Sequence, residues 1–263
     1  MWPRSPVLLV TGGGGVLGSV LRPALRGTYA LRVADRTAPR PPGADEILVG
    51  DLADPGFAAE AVDGVHAILH LAAHASPRAA WSEVAPNIAM TDNLLTAAAD
   101  RGVRQIVLAS SNHAAGLDFR LGAHPVDPGE AATPCCPYGA AKLAEEALGR
   151  QHALRHGAVV VSLRFGLVGW PLLERDYNAM WLSDHDARAL VLAALRATRP
   201  GVHFGVSRHA ERFWSLAGAR ADLGFAPADD LPPGAEDLPR AADPPCLMFD
   251  PDVRPGPLTD RTP

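Results

Sequence analysis

Apolar residues occur along this chain in short runs, separated by segments with helical spacing and by turns rich in glycine, proline and aspartate. The apolar runs predict strands at 7–10, 30–34, 46–49, 65–71, 103–109, 159–164 and 202–206. The segments with helical spacing predict helices near 16–25, 57–62, 85–101, 138–156 and 187–195, and a short helix at 212–217. Strands that alternate with helices in this way predict an α/β fold with a doubly wound parallel sheet.

The later part of the chain predicts a smaller unit attached to this sheet. We predict a sheet domain at 1–165, a small lobe at 166–231 and an irregular tail rich in proline and aspartate at 232–263. A chain of 263 residues, 48% of them hydrophobic, is large enough for one substantial core with such an appendage. The glycine- and proline-rich segment 114–137 is predicted as a loop, and Asp184 or Asp186 as the cap of the helix that follows.

Charge and cysteine content exclude several classes of protein. A net charge of -5 without a basic run gives no sign of nucleic-acid binding. No apolar stretch has the length of a membrane span, and residues 1–6 lead straight into the first strand, so neither a membrane anchor nor a signal peptide is predicted. The three cysteines, with Cys135 and Cys136 adjacent, form neither a disulfide framework nor a zinc spacing. This predicts a reducing cytoplasm, no metal, and cysteines that only line a site.

A glycine-rich turn joins the first strand to the first helix. Gly12, Gly15 and Gly18 follow the spacing GxxGxxG. Glycines here permit a tight turn and a close approach of the backbone to a pyrophosphate, and the helix N-terminus offers free amide donors. The turn, with Val16 and Leu17 behind it, predicts a dinucleotide site. The alternative is a flexible glycine loop.

Residues at later strand ends extend this predicted site. Asp35 ends the second strand, seventeen residues after Gly18, where a carboxylate binds ribose hydroxyls and repels a 2′-phosphate. It therefore favours NAD over NADP, and the alternative is a solvated turn residue. Small residues after the fourth strand let a flat cofactor lie against the backbone, whereas His70 inside that strand is predicted to be structural. The further predicted contacts are Leu71, Ala72, Ala73 and Asn87.

The candidate chemistry lies at Ser111, Tyr138 and Lys142. Tyr138 and Lys142 stand four apart on a predicted helix and so share one face. A free tyrosine has a pKa of about 10, and a neighbouring ammonium lowers it. Ser111 follows a predicted strand and reaches the carboxyl edge of the sheet, where such folds bind ligands. The trio suits proton transfer between an alcohol and a carbonyl, with a cofactor taking the hydride. The alternative is a surface lysine and a half-buried tyrosine.

In their order and separation, these motifs resemble the extended short-chain dehydrogenase/reductase superfamily, the NAD-dependent epimerases and dehydratases. The matching stretches are TGGGGVLG at 11–18, DL at 51–52, HLAA at 70–73, SS at 110–111 and YGAAK at 138–142. The segments 110–113, 181–186 and 204–207 are further similar to the uronate dehydrogenases of that superfamily. The resemblance implies a Rossmann-type fold that binds NAD in the first domain.

The same resemblance implies roles for individual residues. Tyr138 would be the general base, Lys142 its electrostatic partner and a ribose ligand, and Ser111 the catalytic serine. Tyr138 and Lys142 therefore also count as cofactor contacts. The remaining implied NAD contacts are Gly12, Gly15, Gly18, Asp35, Asp51 and Leu52.

The resemblance also implies a substrate site that Asn112 and His113 share with Ser111 and Tyr138. Ser76 stands one position later than the serine of the uronate dehydrogenases. Arg175 is the nearest candidate for their carboxylate-binding arginine, out of register with it.

The predicted function is NAD-dependent oxidation of a small sugar, a hexuronic acid at C1, to its aldarolactone. Only 121 residues follow Lys142, which favours a small free sugar over a nucleotide sugar. The alternatives are a sugar epimerase or dehydratase on the same scaffold and a non-catalytic NAD(P)-sensing regulator. Pairing of helix 138–156 between copies, as in the superfamily, implies a homo-oligomer.

Overall fold

The computed structural model describes residues 5–39, 44–122 and 124–254 of the chain. Its strands are β1 Val7–Thr11, β2 Ala30–Asp35, β3 Glu46–Val49, β4 Ala67–His70, β5 Gln105–Ser111, β6 Val159–Phe165 and β7 Gly201–Gly205. They form one sheet in the order β3-β2-β1-β4-β5-β6-β7, and each pairs with its neighbours in parallel. The predicted doubly wound α/β fold is confirmed. Residues 1–4, 40–43 of a predicted proline-rich loop and 255–263 of the predicted tail lie outside the described residues.

Helices cover both faces of the sheet. They are α1 Val16–Leu25, α2 Pro55–Val62, α3 Trp81–Val84, α4 Pro86–Asp100, α5 Gly116–Leu121, α6 Pro137–His156, α7 Asp184–Ala194 and α8 Ala217–Leu223. Side chains of a strand alternate between faces, so Leu8 and Val10 join one buried cluster and Leu9 joins another. On one face α1 packs against α7, and on the other α4 packs between α2 and α6.

Local sequence signals set most helix boundaries. Helix α6 has Pro137 in its first turn, and it stops at Gly157, which adopts the left-handed conformation (φ +62°) that glycine tolerates best. For α7 the predicted cap was wrong. The Ser183 hydroxyl accepts the amide of Asp186 at 3.0 Å. Asp186 is 1% exposed and instead accepts the Ser207 hydroxyl and the amide of Ala228.

Two local predictions in the second half were also wrong. The predicted helix at 212–217 is a 3-10 turn at Arg208–Arg212 followed by α8. The apolar residues of this segment do not form one face of a helix. They serve tertiary packing instead, since Trp214 is fully buried and stacks on Phe119. The predicted loop 114–137 contains α5 and the end of a 3-10 turn at Asn112–Ala115, because its first residues are buried under the sheet edge.

The tail is irregular but packed, as predicted, up to residue 254. It forms one 3-10 turn at Ala235–Asp237. Its Met248 is 1% exposed and joins the core cluster on one sheet face. The Ala235 carbonyl accepts the amide nitrogen of Asn178 at 3.0 Å, and Phe249 meets Tyr177 edge to face. The lobe and tail thus pack onto the sheet domain, and the division into three parts stays a prediction.

Candidate active site

The glycine turn lies against the end of β4. Gly12 has a φ of +64°, and a Cβ on it would stand 2.6 Å from the Cα of Ala72. A Cβ on Gly18 would collide with the carbonyl of Gly13. No side chain caps α1, so its first amides face a cleft lined by the turn. Uncapped amides beside a backbone without Cβ atoms suit a pyrophosphate, so the turn fits the predicted dinucleotide.

Asp35 stands at the far end of this cleft, at the carboxyl end of β2. Its Oδ2 accepts the amide of Gly14 at 2.9 Å, and its Oδ1 accepts that of Thr37 at 3.2 Å. These bonds fix the carboxylate between the glycine turn and the next loop. Asp51 and Leu52, after β3, line the same part of the cleft. The arrangement is suited to ribose hydroxyls, which a carboxylate accepts as hydrogen-bond donors.

Ser111, Tyr138 and Lys142 meet at the other end of the cleft. Ser111 ends β5, whereas Tyr138 and Lys142 lie on successive turns of α6, which packs beside that strand. All three side chains line the cleft. Ser111 is close enough to lower the pKa of Tyr138 by hydrogen bonding, and the Lys142 Nζ stands 5.8 Å from the centre of the tyrosine ring. The three predicted catalytic residues therefore converge.

Lys142 has a partner that sequence reasoning missed. Its Nζ lies 2.9 Å from the Glu145 carboxylate, and each side chain is 2% exposed. Burial raises the pKa of Tyr138 above its ordinary value; Lys142 opposes this rise, and Glu145 adds to it. The predicted lowering by Lys142 is thus present but is outweighed by burial. The i,i+3 spacing was visible in the sequence, but only the fold shows that both groups are buried.

A second buried acid braces α6 against the sheet. Glu146 holds Arg164 of β6 through two bonds, from the arginine Nε at 2.9 Å and Nη2 at 2.8 Å. Ser110, which precedes the predicted catalytic serine, donates its hydroxyl to the same carboxylate at 2.5 Å. These bonds join β5, β6 and α6 directly behind the site. Sequence reasoning missed them because the partners lie far apart in the chain.

A model of the NAD dependent epimerase/dehydratase family matches residues 8–174, more than half of the chain. This protein belongs to that family. The family confirms the predicted cofactor, NAD, and together with relatives named as sugar dehydrogenases it confirms the predicted class, an NAD-dependent oxidoreductase.

Individual relatives within the family resemble the chain over most of its length. A protein named NAD-dependent glucose-6-phosphate dehydrogenase, from Haloferax volcanii, is 34% identical and covers 86% of this chain and 94% of its own. The uronate dehydrogenase of Pseudomonas putida is 33% identical and covers 84% of each chain. A crystal structure of a uronate dehydrogenase variant from Agrobacterium tumefaciens with NAD is 30% identical (TM-score 0.73), covering 86% of this chain and 85% of that one.

All of the predicted NAD contacts line the same cleft. Besides the turn, Asp35 and the residues after β3, they include Val16, Leu17, Leu71, Ala72, Ala73 and Asn87. Asn87 is 1% exposed, and it exchanges hydrogen bonds with the backbone of His74 at 2.8 and 3.3 Å. It therefore holds the strand-end loop in place, and its direct contact with the cofactor of this family stays a prediction.

Three predicted substrate residues do not line the cleft. Arg175 begins a 3-10 turn on another surface, in a depression that it shares with Phe119 and Arg240. Ser76 accepts the amide of Arg78 at 3.3 Å, and Asn112 is completely buried under the 3-10 turn after β5. The structure does not bring these three side chains into the cleft, and their roles as substrate contacts stay predictions. The resemblance matches segments of this chain to segments of the uronate dehydrogenases. The position of each side chain also depends on the length of the loops and on the turns within those segments.

The structure supports a structural role for His70. Its Nδ1 lies 2.7 Å from the Thr11 hydroxyl and its Nε2 3.0 Å from the Thr91 hydroxyl, in a site that is 1% exposed. The Thr11 hydroxyl also accepts the amides of Leu71 and Ala72. The histidine thus ties β1 and α4 to the strand end that carries the cofactor loop. Burial, and then the charge of Lys142, lower its pKa from 6.5 to about 3.

This neutral histidine gives the protein a pH-dependent stability. Between pH 6.5 and about 3 the unfolded chain binds a proton at His70 that the folded chain excludes. The free energy of unfolding therefore falls as the pH falls through this window, by up to about 1.4 kcal/mol per pH unit, and the contribution is complete above it. We expect His70→Asn to flatten the loss between pH 6.5 and 4, measured by urea unfolding. His185→Asn, at a side chain that is 66% exposed, is the control, and parallel wild-type and His70→Asn curves would contradict the assignment.

Within residues 5–39, 44–122 and 124–254, none of the helices combines the length and the apolar character that a membrane span requires.

Proposed function

We propose that this protein oxidises the C1 hydroxyl of a hexuronic acid in its ring form, with NAD as the hydride acceptor. The observation that carries the proposal is the convergence of Ser111, Tyr138 and Lys142 at one end of the cleft. The glycine turn and Asp35 occupy the other end. The cleft has a volume of about 810 Å³, within the range of roughly 300–1,000 Å³ that small-molecule sites span.

In this proposal Tyr138 is the general base that accepts the substrate proton. Its phenolate takes the proton of the C1 hydroxyl, while Ser111 donates a hydrogen bond to the same substrate oxygen. The Lys142 ammonium favours the phenolate, and Glu145 holds that ammonium in place at 2.9 Å. The chemistry that NAD supplies when bound is acceptance of the hydride that leaves C1. The product is a lactone, which opens with water in solution.

The position of the tail supports a small free sugar. Pro245 lines the substrate end of the cleft together with Pro77 and Tyr177. The tail is attached there by Arg78, whose guanidinium lies 2.8 Å from the Asp243 carboxylate and also donates to the Asp243 carbonyl. The tail segment around Pro245 therefore limits the space in which the nucleotide of a nucleotide sugar would lie. His113, with Ser111 and Tyr138, is left to meet the sugar itself.

The names of two relatives support an anionic substrate, whereas a third, an L-arabinose 1-dehydrogenase, acts by name on a neutral sugar. Uronate dehydrogenase and glucose-6-phosphate dehydrogenase both act, by name, on a sugar that carries an acid group. Two crystal structures of uronate dehydrogenases are also among the similar structures, which favours the carboxylate over the phosphate. Arg175, the predicted partner of the acid group, lies outside the cleft, in the depression that it shares with Phe119 and Arg240.

The test is the rate of NADH formation, followed by absorbance, with a panel of sugars. We expect galacturonate or glucuronate to react at least ~10-fold faster than galactose and glucose, because a hydrogen bond to a charged group is worth about 1.5–3 kcal/mol. Glucose 6-phosphate tests the other anion, and NADP replaces NAD in a parallel series. Faster turnover of the neutral sugars, or of glucose 6-phosphate, would reject a uronate as the substrate but would still support NAD-dependent oxidation of a sugar.

The same assay separates the two alternatives. An epimerase or dehydratase oxidises and re-reduces its substrate, so it gives no net NADH, whereas a regulator binds the cofactor and turns over nothing. Absence of NADH with every sugar, despite measured NAD binding, would therefore reject the dehydrogenase. The homo-oligomer and the cytoplasmic location stay predictions.

A further inference from the structure

Four metal-binding side chains meet beside the active site. They are His113 of the 3-10 turn after β5, the adjacent Cys135 and Cys136 before α6, and Cys246 of the tail. The histidine Nδ1 and the three sulfurs all lie within 4.8 Å of one another. All three cysteines are free thiols. Because the tail contributes the last member, 111 residues after Cys135, the spacing along the chain did not reveal this cluster.

The distances between these atoms approach those of a tetrahedral zinc site. Cys135 Sγ lies 3.4 Å from Cys246 Sγ and 4.0 Å from Cys136 Sγ. His113 Nδ1 lies 3.2 Å from Cys135 Sγ and 3.4 Å from Cys246 Sγ. Zinc bonds of about 2.3 Å to sulfur and about 2.0 Å to nitrogen place tetrahedral ligands roughly 3.8 Å apart for two sulfurs and 3.5 Å for sulfur and nitrogen. The four distances depart from these values by about 0.1–0.4 Å, and the two from Cys136 to Cys246 and to His113 are within 4.8 Å.

The four side chains also have the ligand chemistry that zinc prefers. Three thiols and one imidazole match the Cys₃His set of structural zinc sites, with no ligand position left for a substrate. Cys136 is the N-cap of α6 and accepts the amide of Gly139 at 3.4 Å, so the positive end of a 20-residue helix favours its thiolate.

We propose that His113, Cys135, Cys136 and Cys246 bind one Zn²⁺ that fastens the tail to the active-site loop. Cys246 follows Pro245, which lines the substrate end of the cleft, so the ion fixes the tail segment that limits substrate size. The same histidine lines the cleft, so the ion lies beside the substrate site of the proposed function. The ion is structural and takes no part in hydride transfer.

The first test measures zinc by mass spectrometry in full-length protein purified under reducing conditions. We expect about one equivalent per chain in the wild type and less than about a tenth of that in Cys246→Ser. After chelation, Co²⁺ should produce the thiolate charge-transfer and visible bands of a tetrahedral site in the wild type alone. His185→Ala is the matched control, because His185 belongs to the other described group of potential ligands, with Asp186 and Asp229. It should keep the full metal content.

The proposal fails if the wild type neither contains zinc nor binds Co²⁺. It also fails if Cys246→Ser retains the metal, or if His185→Ala loses it.

A second readout follows the tail directly. Zinc removal by a chelator should accelerate trypsin cleavage at Arg240, an exposed residue six positions before Cys246, by several-fold. Cys246→Ser should show the fast rate with or without chelator. Equal rates for wild-type protein in the two conditions would show that no metal holds the tail.

Discussion

Replacement of Tyr138 by phenylalanine is expected to lower turnover by ~10²–10⁴-fold, the usual contribution of a positioned acid or base. The variant retains the ring, which packs with Val84 and Ala141 in a small buried cluster, and loses only the hydroxyl. Because the glycine turn and Asp35 lie at the opposite end of the cleft, NAD affinity should stay nearly unchanged. Initial rates of NADH formation and calorimetric titration with NAD measure the two effects separately.

Tyr29→Phe is the matched control for this substitution. Tyr29 is half-buried ahead of β2 and does not line the cleft, so its loss of a hydroxyl should leave turnover within about twofold of wild type. Near-normal turnover by Tyr138→Phe would reject the phenolate as the base. An equal loss of turnover in both variants would point to a general effect on folding instead.

Replacement of Glu146 by alanine is expected to destabilise the protein by about 3–5 kcal/mol, because it leaves Arg164 charged and buried without its partner. The two side chains are 2% and 3% exposed, and Arg164 also stacks on Phe204 at 5.4 Å, which prevents it from reaching water. Urea unfolding followed by circular dichroism measures the loss, at fixed NAD and metal concentration since both ligands shift apparent stability.

The chain offers a matched exposed pair as the control. Asp63 and Arg101 stand 2.9 Å apart, with side chains that are 70% and 42% exposed. Asp63→Ala should therefore cost less than about 1 kcal/mol. The double replacement Glu146→Leu with Arg164→Met should cost less than Glu146→Ala alone, because no unpaired charge remains. If Glu146→Ala costs no more than Asp63→Ala, the buried pair does not brace the site.

Helix α6 gathers the groups of both predictions. Tyr138, Lys142 and Glu145 follow one another at helical spacing on the face toward the cleft, and Glu146 turns toward β6. One element thus holds the proposed base, its cation and the two buried acids together. Ser110 and Ser111 are consecutive on β5, so one hydroxyl bonds to Glu146 and the next lines the cleft, where we propose that it binds the reacting oxygen.

Several features followed from the sequence because their signals are local. Apolar runs of strand length alternating with helical spacing predicted the sheet, since the periodicity of side chains reflects the element that buries them. Gly12, Gly15 and Gly18 predicted the turn because the tight turn and the close backbone approach both require residues that have no Cβ. Tyr138 and Lys142 predicted a shared face because helix geometry alone sets their separation.

Only the tertiary structure decided which distant residues meet. The sequence left Arg175 as a candidate and gave no reason to join Cys246 to Cys135, or Glu146 to Arg164. Each of these outcomes depends on how loops and tail cross the sheet, and such packing is set by many weak contacts spread over the chain rather than by a local spacing. Burial acts in the same way, since the Lys142–Glu145 pair is strong only because the fold excludes water from it.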